Sequence, residues 1–201
     1  MTILSVSLAT EGDLDEQVLR QFLEQSGREI SAGVCYGKHG RDHLKQNMVR
    51  FNQAARVHSF IVLADLEDDD CAPSVVQDWL PYGRDPNLIL RIAVRMVESW
   101  LLADSDAFAE FIGVPIARIP VQPDFEEHPK RLIVQIARKS RLRAIREDLV
   151  PSPDSTSQVG RNYVGQLTRF VLQTWRVERA LAHSPSLARA LLAIQSFEPK
   201  M

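Results

Sequence analysis

An α/β fold, with a mostly parallel sheet flanked by helices and a helical C-terminal appendage, is predicted by two features of the sequence. Short apolar, β-branched runs alternate with helical segments through the first half of the chain. Near residue 113 that alternation stops: four prolines fall within residues 115–129, and no strand signal of similar quality follows. The charge also changes sign along the chain. Residues 1–127 hold 11 Lys+Arg against 21 Asp+Glu, whereas residues 128–201 hold 13 against 5. The overall net charge of −2 therefore conceals a −10 segment and a +8 segment, an asymmetry that points to partners rather than to fold.

Each element has its own signal. Ile3 to Ala9 is apolar and β-branched, the mark of a buried strand. Asp13 stands three residues before Glu16, the spacing of a capping box, and opens a helix. Leu14, Val18, Leu19, Phe22 and Leu23 share one face of that helix, and Gly27 is suited to stop it. Ile30 to Tyr36 reads as a weaker second strand, followed by a basic turn and a helix from about Asp42 to Val57. Phe60 to Ala64 is the clearest strand and ends in Asp65-Leu66-Glu67-Asp68-Asp69-Asp70. Pro73 fits the start of a helix running to Leu80. Leu88 to Val94 forms a fourth strand, leading into a helix through Val97, Leu101 and Leu102. Asp106 is placed to cap a further helix ending at Gly113. Lys130 to Arg146, Val159 to Trp175 and Ser186 to Phe197 complete the pattern as helices. The chain thus divides into an α/β unit over residues 1–113 and a basic helical appendage over residues 114–201, packed on it.

At 201 residues, 45% apolar and 25% charged, the chain suits one globular domain with an appendage. Cys35 and Cys71 are too few for a disulfide framework and stand near no Cys/His cluster, so reduced thiols are expected. The N-terminal apolar run lacks a basic leader, and no apolar run approaches the ~20 residues needed to span a bilayer. A cytoplasmic location is expected. The P-loop, the Gly-x-Gly-x-x-Gly fingerprint and the Gly-x-Ser-x-Gly elbow are all absent. A haloacid-dehalogenase-type phosphatase would need Asp-x-Asp after the first strand, where this chain has one Glu. Strand-passage or polymerase-type accessory domains do not fit in this length.

The candidate chemistry lies at strand ends. Glu11 follows the first strand, and Asp65 and Glu67 follow the third; open α/β sheets bind ligands outside the carboxyl ends of their strands. Carboxylates meeting there from two strands would suit Mg²⁺ (or Mn²⁺), which takes one or two carboxylates plus waters and substrate phosphates. The competing reading makes Asp13 and Asp15 helix-dipole partners and Glu67 to Asp70 a solvated loop. Glu98 shares a helical side with Leu101 and Leu102, and either turns towards the sheet top or pairs with Arg95. Lys38, with His39, Arg41 and His43, forms a basic turn that either grips a phosphate or is solvated. Lys130, Arg131, Arg138, Lys139, Arg141, Arg143 and Arg146 give seven basic residues without an acid, suited to a phosphate backbone or to docking on an acidic protein surface. Lys130, just after Pro129, is the candidate for stabilising transition-state charge.

Thr10-Glu11-Gly12-Asp13-Leu14-Asp15 resembles the first motif of the topoisomerase–primase (TOPRIM) domain, and Asp65-Leu66-Glu67 is similar to its second motif, Asp-x-Asp. Ile92 to Asp104, Val159 to Tyr163 and Ser184 to Arg189 look like segments of an uncharacterised bacterial family of TOPRIM-like proteins, related to the TOPRIM part of OLD-type nucleases. The resemblance implies a TOPRIM-like sheet and a Mg²⁺-dependent nuclease, or related phosphodiester hydrolase, in a bacterial defence-type system. It assigns Glu11 as metal ligand or general acid/base, Asp65 as metal ligand, Asp15 as second-site ligand and Glu98 as the further acid after the fourth strand. Glu67 departs from the pattern, and its longer side chain shifts any site it helps build. Lys38, Arg138, Lys139, Arg141 and Arg143 are the expected nucleic-acid contacts. The alternative implied role is a non-catalytic or conditionally active subunit docking onto an ATPase partner; self-association is compatible with either.

Overall fold

A computed structural model describes residues 3–200; positions 1, 2 and 201, at the outer ends of the two expected regions, lie outside the described residues. Four strands, β1 (Leu4–Thr10), β2 (Ile30–Gly37), β3 (Ser59–Asp65) and β4 (Leu88–Ala93), form one sheet in the order β2-β1-β3-β4. All pairings are parallel. Parallel neighbours require crossovers, supplied by α1 (Asp13–Glu24), α2 (Arg41–Ala54) and α3 (Ala72–Trp79). The expected α/β class with a helical C-terminal region is what the chain forms.

Side-chain alternation assigns the two faces. Val6, Leu8, Ile61 and Leu63 pack with Leu14, Val18, Leu19 and Phe22 of α1. Ala9, Phe60, Val62 and Ala64 face Leu44 and Met48 of α2 and Val75 and Trp79 of α3. β3 is buried at every position, which is why it reads as a continuous apolar run. β2 lies at an edge and leaves Val34 61% exposed, so its signal is weaker.

The remaining helices are α4 (Val97–Leu102), α5 (Ser105–Ile112), α6 (Pro129–Ala137), α7 (Arg143–Leu149), α8 (Tyr163–Gln173), α9 (Val177–Ala180) and α10 (Pro185–Gln195), with 3₁₀ turns at Ile116–Arg118 and Pro123–Phe125. They share the α1-side core: Trp100, Phe108, Ile133, Leu167, Trp175 and Ile194 belong to one apolar cluster. The indole of Trp100 donates to Ser186 Oγ at 2.7 Å, and that of Trp175 to the Trp100 carbonyl at 3.1 Å. Arg179 pairs with Asp104 at 2.7 Å. This pair, with a Lys130–Glu98 contact described below, joins the basic segment to the acidic one.

Three local expectations need correction. The basic segment Lys130–Arg146 is two helices, because buried Ser140 interrupts it by donating to the Ile112 carbonyl at 2.5 Å and accepting from Leu142 N–H at 2.9 Å. A side chain bonding to nearby backbone in this way competes with helix continuation. The capping box does not form: Gly12 is the N-cap and makes no side-chain cap bond, while Glu16 is held by Arg20 at 2.8 Å and Lys38 at 2.9 Å. Nor does Asp106 cap α5. Its N-cap is Asp104, whose carboxylate instead receives the Arg176 N–H and the Arg179 guanidinium.

Candidate active site at the carboxyl ends of the central strands

The first turn of α1 just past β1, the end of β3 and the first turn of α4 come together around a cavity of about 210 Å³. Asp15, Asp65 and Glu98 line it, with Lys130 from the first turn of α6 and Tyr163 at the start of α8. The three carboxylates are buried, at 8%, 7% and 2% exposure respectively. Gly12 makes their approach possible: a Cβ there would stand 2.9 Å from Asp15 Oδ2. This is a close-approach glycine, since its φ of −147° is ordinary extended backbone.

Backbone and side-chain donors fix the group. Asp65 Oδ1 accepts the Val97 N–H at 2.9 Å, tying the end of β3 to the start of α4. Glu11 Oε1 accepts the Asp65 N–H at 2.9 Å, tying β1 to β3. The Tyr163 hydroxyl donates to Glu98 Oε1 at 3.3 Å, and Lys130 Nζ lies 3.8 Å from the same oxygen. One ammonium thus faces three buried acids, and the electrostatics follow. Burial lifts Glu11 from 4.5 to about 7, with Asp15 and Glu67 adding to the rise while the Asp65 N–H and Arg41 oppose it. Asp15 rises to about 6, from burial first and then the neighbouring Glu98 charge. Asp65 goes well above the usual carboxylate range, again from burial and then from Asp15 and Glu98. Lys130 is raised, chiefly by Glu98.

Not every expected site residue joins the cavity. Glu11 stands beside it, holding Asp65. Glu67 is excluded from its wall: its backbone is left-handed (φ 50°) and its carboxylate lies 3.7 Å from Arg41. Arg41 also donates to the Asp65 carbonyl and to Asp69, and stacks 5.1 Å over Trp79, so it organises the loop after β3. The Arg95–Glu98 pairing is not formed; Arg95 donates to the Glu67 and Asp69 carbonyls at 3.0 and 2.6 Å. Lys38 is engaged by Asp13 at 3.2 Å and Glu16 at 2.9 Å, and Arg143 by Glu147 at 2.6 Å. Arg138, Lys139 and Arg141 are exposed beyond the far end of α6 from Lys130. Arg131 and Arg138 line a groove of about 410 Å³ with Pro151 and Ser157. Those two residues also line an adjoining groove that contains Val159 and Arg161, and Val159 reaches the acidic cavity. Tyr163, not among the expected site residues, is both buried and bonded to Glu98; its separation of 65 residues from Glu98 leaves no local signal.

Oxygen-only donors and a surplus of negative charge fit a hard divalent cation such as Mg²⁺. Among the described residues, however, no group of three or more His, Cys, Asp or Glu side chains is placed to hold a metal ion. Glu11 and Asp65 each direct one oxygen to a backbone N–H instead. By donor type and charge the set fits the ion; by present side-chain placement it does not converge on one. Among the described residues no helix is long and apolar enough to cross a membrane.

A parallel α/β protein with buried carboxylates at its strand ends is the class that fold and site define. Within that class, the chain belongs to the family described as Domain of unknown function (DUF4276), matched over residues 9–148. No curated protein and no solved structure matches it. The matched segment holds Glu11, Asp15, Asp65, Glu98 and Lys130, and stops short of Tyr163.

Proposed function

We propose that the protein is a divalent-metal-dependent phosphodiester hydrolase acting on nucleic acid. The observation that carries this reading is the gathering of Asp15, Asp65 and Glu98, all buried, on one cavity at the carboxyl ends of β1 and β3, with Lys130 at its side. Their order along the chain agrees with the TOPRIM resemblance.

Asp65, Glu98 and Asp15 would hold Mg²⁺ or Mn²⁺ only after turning towards a common point, since as placed they do not converge on one; a bound ion would supply Lewis acidity towards a phosphodiester. The remaining work belongs to the chain. The Val97 N–H and the Tyr163 hydroxyl fix the orientations of Asp65 and Glu98, as partners of ligand carboxylates do. Glu11, with its carboxyl near half-protonation at neutral pH, is suited to accept a proton from an attacking water and return it to a leaving oxygen. Lys130 opposes charge that builds on the phosphoryl oxygens. Arg131, Arg138 and Arg161, in the grooves next to the cavity, supply salt-sensitive hold on the nucleic-acid backbone. Of the expected contacts, Lys38 and Arg143 have acidic partners, whereas Arg138, Lys139 and Arg141 are exposed and form no ion pair among the described residues.

The test is cleavage of plasmid DNA, single-stranded DNA and RNA with and without Mg²⁺ or Mn²⁺, alongside calorimetric titration of Mn²⁺. Metal-dependent cleavage that Asp65→Asn and Glu98→Gln abolish supports the reading. Absence of cleavage together with absence of Mn²⁺ binding overturns it.

A further inference from the structure

A cavity of about 910 Å³ lies along the edge strand β4 and away from the acidic site. It is within the ~300–1,000 Å³ range of small-molecule sites. Leu80 just after α3, Ile92 of β4 and Phe125 give it an apolar wall, and Phe125 is 77% exposed. Three guanidiniums border it: Arg91 on β4, Arg84 in the preceding loop and Arg189 on α10. None of them forms an ion pair among the described residues. Arg91 Nε is buried without any hydrogen-bond partner. Burial, then the charges of Arg189 and Arg84, depress the Arg91 pKa.

The other charges on the wall do not answer these three. Asp124 accepts from Ser184 Oγ at 2.7 Å and from Ser186 N–H at 2.8 Å. Arg95 is engaged with the carbonyls of the β3 loop. Asp70 and Glu127 line the cavity without reaching ion-pair distance of Arg84, Arg91 or Arg189. An arginine stays protonated in a protein, so crowding of this kind is relieved only by an anion.

We propose that this cavity binds an organic phosphate of nucleotide size, its phosphoryl group held by Arg84, Arg91 and Arg189 and its apolar body laid against Leu80, Ile92 and Phe125. A phosphoryl dianion answers three guanidiniums better than a single carboxylate, and the fork geometry of arginine grips phosphate oxygens in pairs. The site is independent of the acidic cavity and stands whether or not that cavity is catalytic.

Calorimetric titration of the full-length protein in divalent-free buffer, with AMP, inorganic phosphate and adenosine in turn, tests it. AMP is expected to bind at one site more tightly than phosphate, with adenosine showing no binding. Arg91→Met and the surface substitution Arg189→Ala should each weaken AMP by about tenfold or more. Failure of AMP to bind at millimolar concentration, equal binding of adenosine, or AMP affinity unchanged in both variants overturns the proposal.

Discussion

Two cavities flank the loop that follows β3, and each brings together a cluster of like charges. On the α1 side, Asp15, Asp65 and Glu98 surround about 210 Å³ with one lysine for company. At the β4 edge, Arg84, Arg91 and Arg189 border about 910 Å³ with no acid paired to them. Crowded carboxylates can relieve themselves by binding protons, and here they do so near neutral pH. Crowded guanidiniums have no such outlet. Protons can therefore relieve the acidic cluster, whereas they cannot relieve the arginine cluster.

The contrast is broken most directly at Asp65. Asp65→Asn keeps an acceptor for the Val97 N–H but removes a carboxyl group from the cavity, and on the proposed function metal-dependent cleavage should fall by about a hundredfold or more, with circular dichroism unchanged. A cleavage rate within a few-fold of the parent would remove Asp65 from the chemistry.

The pH dependence of stability is the next largest effect. Glu11 has a higher pKa folded, about 7, than its ordinary 4.5, so the folded state holds the extra proton between these values. The native state is thus fully favoured below about pH 4.5 as far as this group is concerned. It loses about 3 kcal/mol as pH rises through 7, and Asp15 acts in the same direction. Thermal melts of metal-free protein should show stability declining from pH 5 to 8, and Glu11→Gln should flatten that decline while making the protein more stable at pH 8. A parallel profile for the variant would show that Glu11 is not the titrating group.

Gly12→Ala probes the same cavity sterically. Its new methyl would stand 2.9 Å from Asp15 Oδ2, displacing the carboxylate and destabilising the fold by about 1–3 kcal/mol; denaturant unfolding reads this out. The smallest effect separates two arginines of the basic segment. Arg138→Ala should reduce the salt slope of nucleic-acid binding by about 1, measured by fluorescence anisotropy across salt concentrations. Arg143→Ala, which only releases Glu147, should leave that slope unchanged and stability within about 0.5 kcal/mol.

What was legible in the sequence follows from what is local. The β1 and β3 runs, the amphipathic face of α1 and the acids just past the two strands are patterns within a few residues, and all of them formed. The meeting of Glu98 with Lys130 and Tyr163 spans 32 and 65 residues and has no pattern to detect. Arg91 sits within an apolar strand and shows its significance only beside Arg84 and Arg189, brought from other elements. The capping-box spacing at Asp13 and Glu16 was genuine, yet Lys38 and Arg20 offered Glu16 stronger partners. The basic run hid a helix break because nothing in it announces that Ser140 is buried against Ile112.

The bonds that close the α1-side core reach well past the family-matched segment. Trp100 rests against Ser186 and Trp175, and Glu98 receives its hydroxyl donor from Tyr163. All three partners follow residue 148, where the family match ends. A chain trimmed at that boundary would keep every buried acid of the site while stripping the cover from Trp100 and the orienting donor from Glu98. A fragment meant to keep that cover and that donor therefore has to run through α10.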